Sequence, residues 1–333
     1  MPPDLQRLLN PRTYRTAAAV VVLCGLALLL VAPLYANLYW LRILSMAMMF
    51  ATLAQGINLI AGFAGYPAFG NVVFFGCGAY TTAIVMVKLG GPFWLGIVLA
   101  ALVSLAIVLI IGPALLRLRG HYFAIATVGL NEMVKALVAN LTPLTGGGMG
   151  LSIPLPPWDP SQTARVFYYL LLATMLVGVA VTLWFRRSRL GLACRAIRDD
   201  EVKAEAMGLR TTAIKTAAWG ISAMLTGVVG AIYAYWFSYV EPPAAFDMLI
   251  AVKSFVIFLL GGAATVMGPV LGAFFVEYVS TTLWSHLLDY HLGALGIGVM
   301  LIALYMPNGF VAFLRSRAHT LSAFFAPQAQ HSR

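Results

Sequence analysis

The chain has 333 residues, of which 61% are hydrophobic and 10% charged, and its mean hydropathy is +0.90. A soluble domain carries about 25% charged residues, so this composition excludes an ordinary soluble protein and puts the chain in a bilayer. The formal net charge of +10 gathers in loops and ends between apolar runs, which is a topology signal rather than a nucleic-acid footprint.

Arg7, Arg12 and Arg15 precede an apolar run from Ala17 to Ala36. That run is long enough to span and more spans follow it, so it reads as a first transmembrane helix and not as a cleaved signal. Residues 1–16 are then a cytoplasmic N-terminal segment. Further spans are expected at about 40–61, 71–88, 93–116, 121–140, 164–185, 216–237, 248–264, 267–286 and 293–313. A Gly-rich break, Gly62 to Gly70, separates the second from the third, and GGAATVMGP joins the eighth to the ninth. The span at 248–264 is short and carries Lys253, which suggests a broken or re-entrant helix. With the N-terminus inside, Arg117 and Arg119, the stretch 186–215, and Arg315 and Arg317 all fall on the cytoplasmic side. The loop 141–163, poor in positive charge, falls outside. The expectation is an all-α polytopic membrane protein of about ten transmembrane helices over 17–313, with both termini cytoplasmic and a tail at 314–333.

Arg186 to Lys215 is the one long charged run. From Asp199, the sequence DDEVKAEAMGL predicts a short helix to Leu209, with acids in its first turn and Gly208 where it would end. Glu201 and Glu205 lie four apart and Ala204 and Met207 three apart, so acidic and apolar residues take separate stripes. Two readings stand: an amphipathic helix that docks on a soluble partner, or a charged loop that only sets topology.

Glycines cluster twice, at Gly56, Gly62, Gly65, Gly70, Gly76 and Gly78, and at Gly261, Gly262, Gly268 and Gly272. They serve either close helix packing or broken helices that line a pathway. Asn58, Asn71, Thr81, Thr127, Asn131, Glu132, Lys135, Lys253, Glu277 and His286 lie in or beside spans, where ionisable groups should avoid lipid. Glu132 and Lys135 either neutralise each other or meet solute. Lys253 either pairs with Glu277 or snorkels outward. His286 and His291 flank an external turn with Asp289, which is not read as a metal site. Cys24, Cys77 and Cys194 are too dispersed for a disulfide framework or zinc. No GxxxxGK[ST], HExxH or GxSxG occurs, so no ATP-binding loop and no catalytic residue are expected in the chain.

Several stretches, in order, resemble the bacterial branched-chain amino-acid ABC transporter permeases, and the M-type partner of their paired permeases most. They are NLIAGFAGYPAFGNVVFFGCGAYTTA (58–83), RLRGHYFAIATVGLNEMVKALVANLTPLTGGGMGL (117–151), SRLGLACRAIRDDEVKAEAMGLRTTAIKTAAWGISAMLTGVVGAIYA (188–234), LLGGAATVMGPVLGAFF (259–275) and YMPNGF (305–310). The chain departs from the family pattern at Ala68, Phe69, Gly70 and Asn71, at Ala263 and at Lys253. The resemblance implies a non-enzymatic permease subunit of an importer in the bacterial inner membrane. Its partners would be an H-type permease, two ATP-binding subunits that use the ATP, a periplasmic solute-binding protein and membrane lipid, with no cofactor on this chain. The solute would be a branched-chain amino acid or a related small polar molecule, since family relatives also handle urea and short amides.

The resemblance makes the loop helix a coupling helix, with Asp199, Asp200, Glu201, Glu205, Ala206 and Gly208 as its candidate residues. For the pathway the candidates are Asn58, Gly65, Asn71, Tyr80, Thr127, Glu132 and the turn Thr145, Gly146, Gly147 and Gly148. Two alternatives remain at this stage. A gradient-driven secondary transporter would use Glu132 and Glu277, and a polytopic membrane enzyme would need an acid/base cluster that the sequence does not offer.

Overall fold

The structure is a computed structural model that describes residues 25–35, 37–118 and 120–286, with side chains to residue 281. The first expected span is described only as α1, Gly25–Tyr35. The tenth span, both terminal segments and the turn with Asp289 and His291 lie outside the described residues.

Long apolar runs form helices because a bilayer leaves backbone groups no other partners, and Gly or Pro punctuates them. α2 (Leu38–Ile57) passes into a single π-helical turn, Asn58–Gly62. An irregular stretch and a 3-10 turn, Phe69–Asn71, lead into α3 (Val72–Val87). The turn at Gly90 and Pro92 opens α4 (Phe93–Leu115), and α5 is His121–Asn140. The expected external loop holds a helical turn α6 (Thr142–Thr145) and a strand β1 (Leu151–Ser152). α7 (Pro160–Arg187) starts with Pro at its first position, where the missing N–H costs nothing.

Two further helices follow, α8 (Arg189–Asp199) and α9 (Glu201–Ala206). They are succeeded by α10 (Thr211–Phe237), the strand β2 (Tyr239–Val240), α11 (Pro242–Ala245), α12 (Met248–Gly261) and α13 (Gly268–His286). β1 and β2 pair antiparallel, Leu151 opposite Val240, so the all-α expectation gains one two-residue ladder. Among the described residues, seven helices are long and apolar enough to cross a membrane.

The core is built on α10, which packs against α2, α3, α4 and α7. A Cβ on Gly78 would lie 2.1 Å from the Gly227 carbonyl oxygen, and one on Gly230 would lie 2.0 Å from that of Phe75. The backbones of α3 and α10 therefore touch, which only glycine permits. α2 packs on α7, α12 and α13. The 14 residues of α12 alone reach about 21 Å, less than a hydrocarbon core of about 30 Å, and α12 counts among the seven only together with α11, as the 20-residue stretch Pro242–Gly261. α12 stops at Gly262, whose φ of 103° suits glycine, and turns back along α13. Lys253 of α12 pairs with Glu277 of α13 at 2.6 Å and lies over the Phe50 ring, so the pairing reading holds and the snorkelling one does not.

Candidate functional site

The charged run folds differently from the expected single helix from Asp199 to Leu209. Arg186 and Arg187 end α7, α8 occupies what was expected to be loop, and the chain breaks at Asp200, whose backbone is extended (φ −162°, ψ 105°). The Ser188 side chain caps α8 by accepting from Gly191 N–H, and Asp200 caps α9 by accepting from Lys203 N–H. That hydrogen bond, with the Lys203 ammonium beside it, holds the Asp200 carboxyl below the usual carboxylate range. Gly208 does end the helix as expected: its φ is +87°, and the Leu209 N–H reaches back to Ala204 O. Lys215 is not a loop residue at all but a buried position in the first turns of α10.

The stripes are corrected too. Ala204 is buried and Met207 is 83% exposed, so they do not share a face in the fold. Glu201 turns inward, and Glu205 accepts from the Thr211 hydroxyl at 2.7 Å. The outward surface of this arm, α8 and α9, carries apolar Leu192, Ala196, Val202, Ala206 and Met207 together with charged Arg189, Arg195, Arg198, Asp199, Lys203 and Glu205. The separate acidic and apolar stripes are replaced by a face on which apolar and charged, mostly basic, side chains are mixed.

Inside the arm, Lys215 Nζ lies 2.6 Å from Glu201 Oε1, 2.8 Å from the Tyr66 hydroxyl and 2.8 Å from Leu116 O. Tyr66 also donates to the other Glu201 oxygen. Arg198 donates to Gly62 O at 2.6 Å, and a Cβ on Gly65, whose φ is +77°, would lie 3.0 Å from Arg198 Cγ. The arm is thus fastened on both sides of Asp200 to the broken segment after α2, through Gly62 of the π-helical turn and Tyr66 of the irregular stretch.

A second junction joins the two glycine-rich breaks. Asn58 donates to Thr265 O at 2.7 Å and accepts from Ala264 N–H at 2.8 Å. A Cβ on Gly62 would strike both Asn58 and Ala264 N. At the start of α3, the Asn71 amide donates to Thr226 and Ser222, and its carbonyl accepts from Trp219 Nε1 at 3.2 Å.

A family model for "Branched-chain amino acid transport system / permease component" matches residues 39–305. The chain is 33% identical to the high-affinity branched-chain amino acid transport system permease protein LivM of Salmonella typhimurium, covering 82% of this chain and 70% of that one. Its similarity to LivM of Escherichia coli is 31% over the same shares. The corresponding LivH of Escherichia coli is 25% identical over 41% of this chain and 44% of its own. The chain belongs to the branched-chain amino acid transport permease family. No solved structure matches it. It is a multi-pass permease component of an ABC importer, a transport subunit and not an enzyme, and the gradient-driven and enzymatic alternatives give way to that membership.

Of this permease's candidate pathway residues, Asn58, Asn71 and Thr127 are buried with protein partners. Thr127 accepts from Gly70 N–H at 3.2 Å and lies 2.8 Å from Ala124 O. Tyr80 is buried and stacked on Phe246, with no hydrogen-bond partner for its hydroxyl. Thr145 accepts from Gly147 N–H, and Gly146 and Gly147 hold left-handed backbone angles in a turn whose far side, Gly148, is open. Glu132 differs from all of these. It is 55% exposed at the middle of α5 and pairs with Lys135 at 3.3 Å, as their spacing suggested. Gly65 and Glu132 therefore sit in separate regions, and the candidates do not form one cavity among the described residues.

The sequence reading missed Tyr66, Arg198, Lys215 and Trp219. One signal was available for two of them: Thr211, Lys215, Ala218, Trp219 and Ser222 recur at helical spacing, and all are buried on one stripe of α10.

Proposed function

We propose that this chain carries branched-chain amino acids, or related small polar solutes, across the bacterial inner membrane as half of a permease pair with an H-type subunit. Two ATP-binding subunits supply the energy, and a periplasmic binding protein delivers the solute. Both termini and the 186–215 arm face the cytoplasm, and 141–163 faces the periplasm. The observation that carries this reading is the arm. Exposed Leu192, Val202 and Met207, set among exposed Arg195, Lys203 and Glu205, on a segment between two long helices suit a groove on a soluble partner, apolar contacts within a charged rim. Solute identity rests on what the relatives are named for, and the likeness to both LivM and LivH permease proteins supports a heterodimer.

The test is reconstitution of the four-component complex in lipid vesicles with a panel of leucine, isoleucine, valine, urea and short amides. One solute class should stimulate ATP hydrolysis. Val202→Asp with Met207→Asp should release the ATPase subunits while leaving the permease pair intact on size-exclusion chromatography. Retention of both ATPase binding and solute stimulation in that variant would overturn the docking assignment.

A further inference from the structure

A lysine that is 1% exposed in a chain of this composition needs a reason. Burying an ion pair contributes little net stability, and apolar groups of similar volume often serve the fold as well or better. Fold stability alone therefore does not explain Glu201 and Lys215. Their position is more informative than their charge. Lys215 joins four separate pieces of chain: the arm through Glu201, the irregular stretch after α2 through Tyr66, the end of α4 through the Leu116 carbonyl, and its own helix α10. Arg198, on the other side of the Asp200 break, holds Gly62 O at the end of the π-helical turn that leads into that stretch. Four residues before Gly62, Asn58 holds Ala264 and Thr265 in the second helix break.

We propose that the Glu201, Lys215 and Tyr66 cluster is a transmission joint, through which displacement of the cytoplasmic arm moves the broken segment after α2 and, through Asn58, the break between α12 and α13. These are positioning residues for transport and touch neither ATP nor solute. The physical reason is directional: charge-assisted hydrogen bonds hold a fixed geometry, so a shift of α9 either carries Tyr66 with it or separates a buried pair. An apolar contact at the same place would slide. The path is contiguous and ends in two segments that lack regular helical bonding, which are the parts of a packed bundle able to take a second arrangement.

The proposal rests on the reading of the arm as the ATPase-facing element, and the test separates the two. The reconstituted complex would carry Glu201→Gln with Lys215→Met, which removes both charges and keeps volume, and separately Tyr66→Phe, which removes one hydroxyl. Three quantities are read: ATPase subunits bound, ATP hydrolysed, and solute moved per ATP. Both variants should bind the ATPases and hydrolyse ATP, while solute moved per ATP falls at least about fivefold, the lower end of ordinary coupling between sites. Wild-type transport per ATP in the double variant would overturn the proposal, because a structural pair is then all that was there. Loss of ATPase binding in the double variant would overturn it too, since the cluster would be shaping the docking face. Should the double variant fail to assemble, Tyr66→Phe decides: an unchanged ratio refutes the joint, and a lowered ratio with ATPases bound sustains it. Failure of the docking reading is read from Val202→Asp with Met207→Asp alone.

Discussion

α4 and α5 follow one another in sequence, have 23 and 20 residues, and are among the least covered helices of the chain, with 28% and 22% of their most apolar stretches buried. The mean hydropathies of those stretches are 3.0 and 1.3. The outward residues of α4, Leu95, Val98, Leu102, Leu109 and Ile110, are all apolar and suit lipid. On α5, Tyr122, Ile125 and Met133 share the outer surface with Glu132, 55% exposed, and Lys135. An ionised pair halfway along a span should not face hydrocarbon. Exposure in one membrane chain thus has two meanings: α4 shows the side toward lipid, and α5 shows a side meant for protein or water. The H-type partner or the solute path is the occupant consistent with the proposed pairing.

Charge placement gives the largest effect. Leu102→Asp on α4 should cost about 2.5–3.5 kcal/mol of insertion, seen as a steep loss of protein in the membrane fraction. Glu132→Leu on α5 should leave that level unchanged and lower solute uptake. Normal insertion of Leu102→Asp, or full uptake with Glu132→Leu, would break the contrast between the two helices.

Their covered sides should behave alike. A Cβ on Gly70 would lie 1.7 Å from the Thr127 carbonyl oxygen of α5, and one on Gly227 would lie 2.2 Å from Ser104 Oγ of α4. Gly70→Val and Gly227→Val should each destabilise by about 1–3 kcal/mol through overpacking, measured as a lowered midpoint of thermal unfolding in detergent. Tolerance at either position would mean that the helix concerned is less tightly seated than the contacts indicate.

The smallest effect sharpens the comparison. A double-mutant cycle on Glu132 and Lys135 in the isolated chain should give about 0.2–0.5 kcal/mol, the value for a pair on an open helix surface. In the assembled complex the coupling should rise, because a partner removes water from the pair. An unchanged value would point to a water-filled path beside α5 instead of a protein contact.

Much of this was legible in the sequence because the causes are local. Apolar runs of spanning length gave the helices, Gly208 ended the arm where glycine is needed, and the three-residue spacing of Glu132 and Lys135 placed them together. The direction in which Glu201 points was not legible. Its spacing from Glu205 allows an outward acidic stripe, and only the meeting of Lys215, Tyr66 and Leu116, drawn from three other parts of the chain, turns it inward. The same holds for Asn58, whose partners lie more than 200 residues away. The sequence by itself determined a polytopic membrane protein with two glycine breaks and one charged arm, since hydropathy and backbone freedom act over a few residues. Only the tertiary structure decided that the two breaks clamp each other and that the arm is fastened to one of them, because hydrogen-bond geometry between distant segments exists only once the helices have packed.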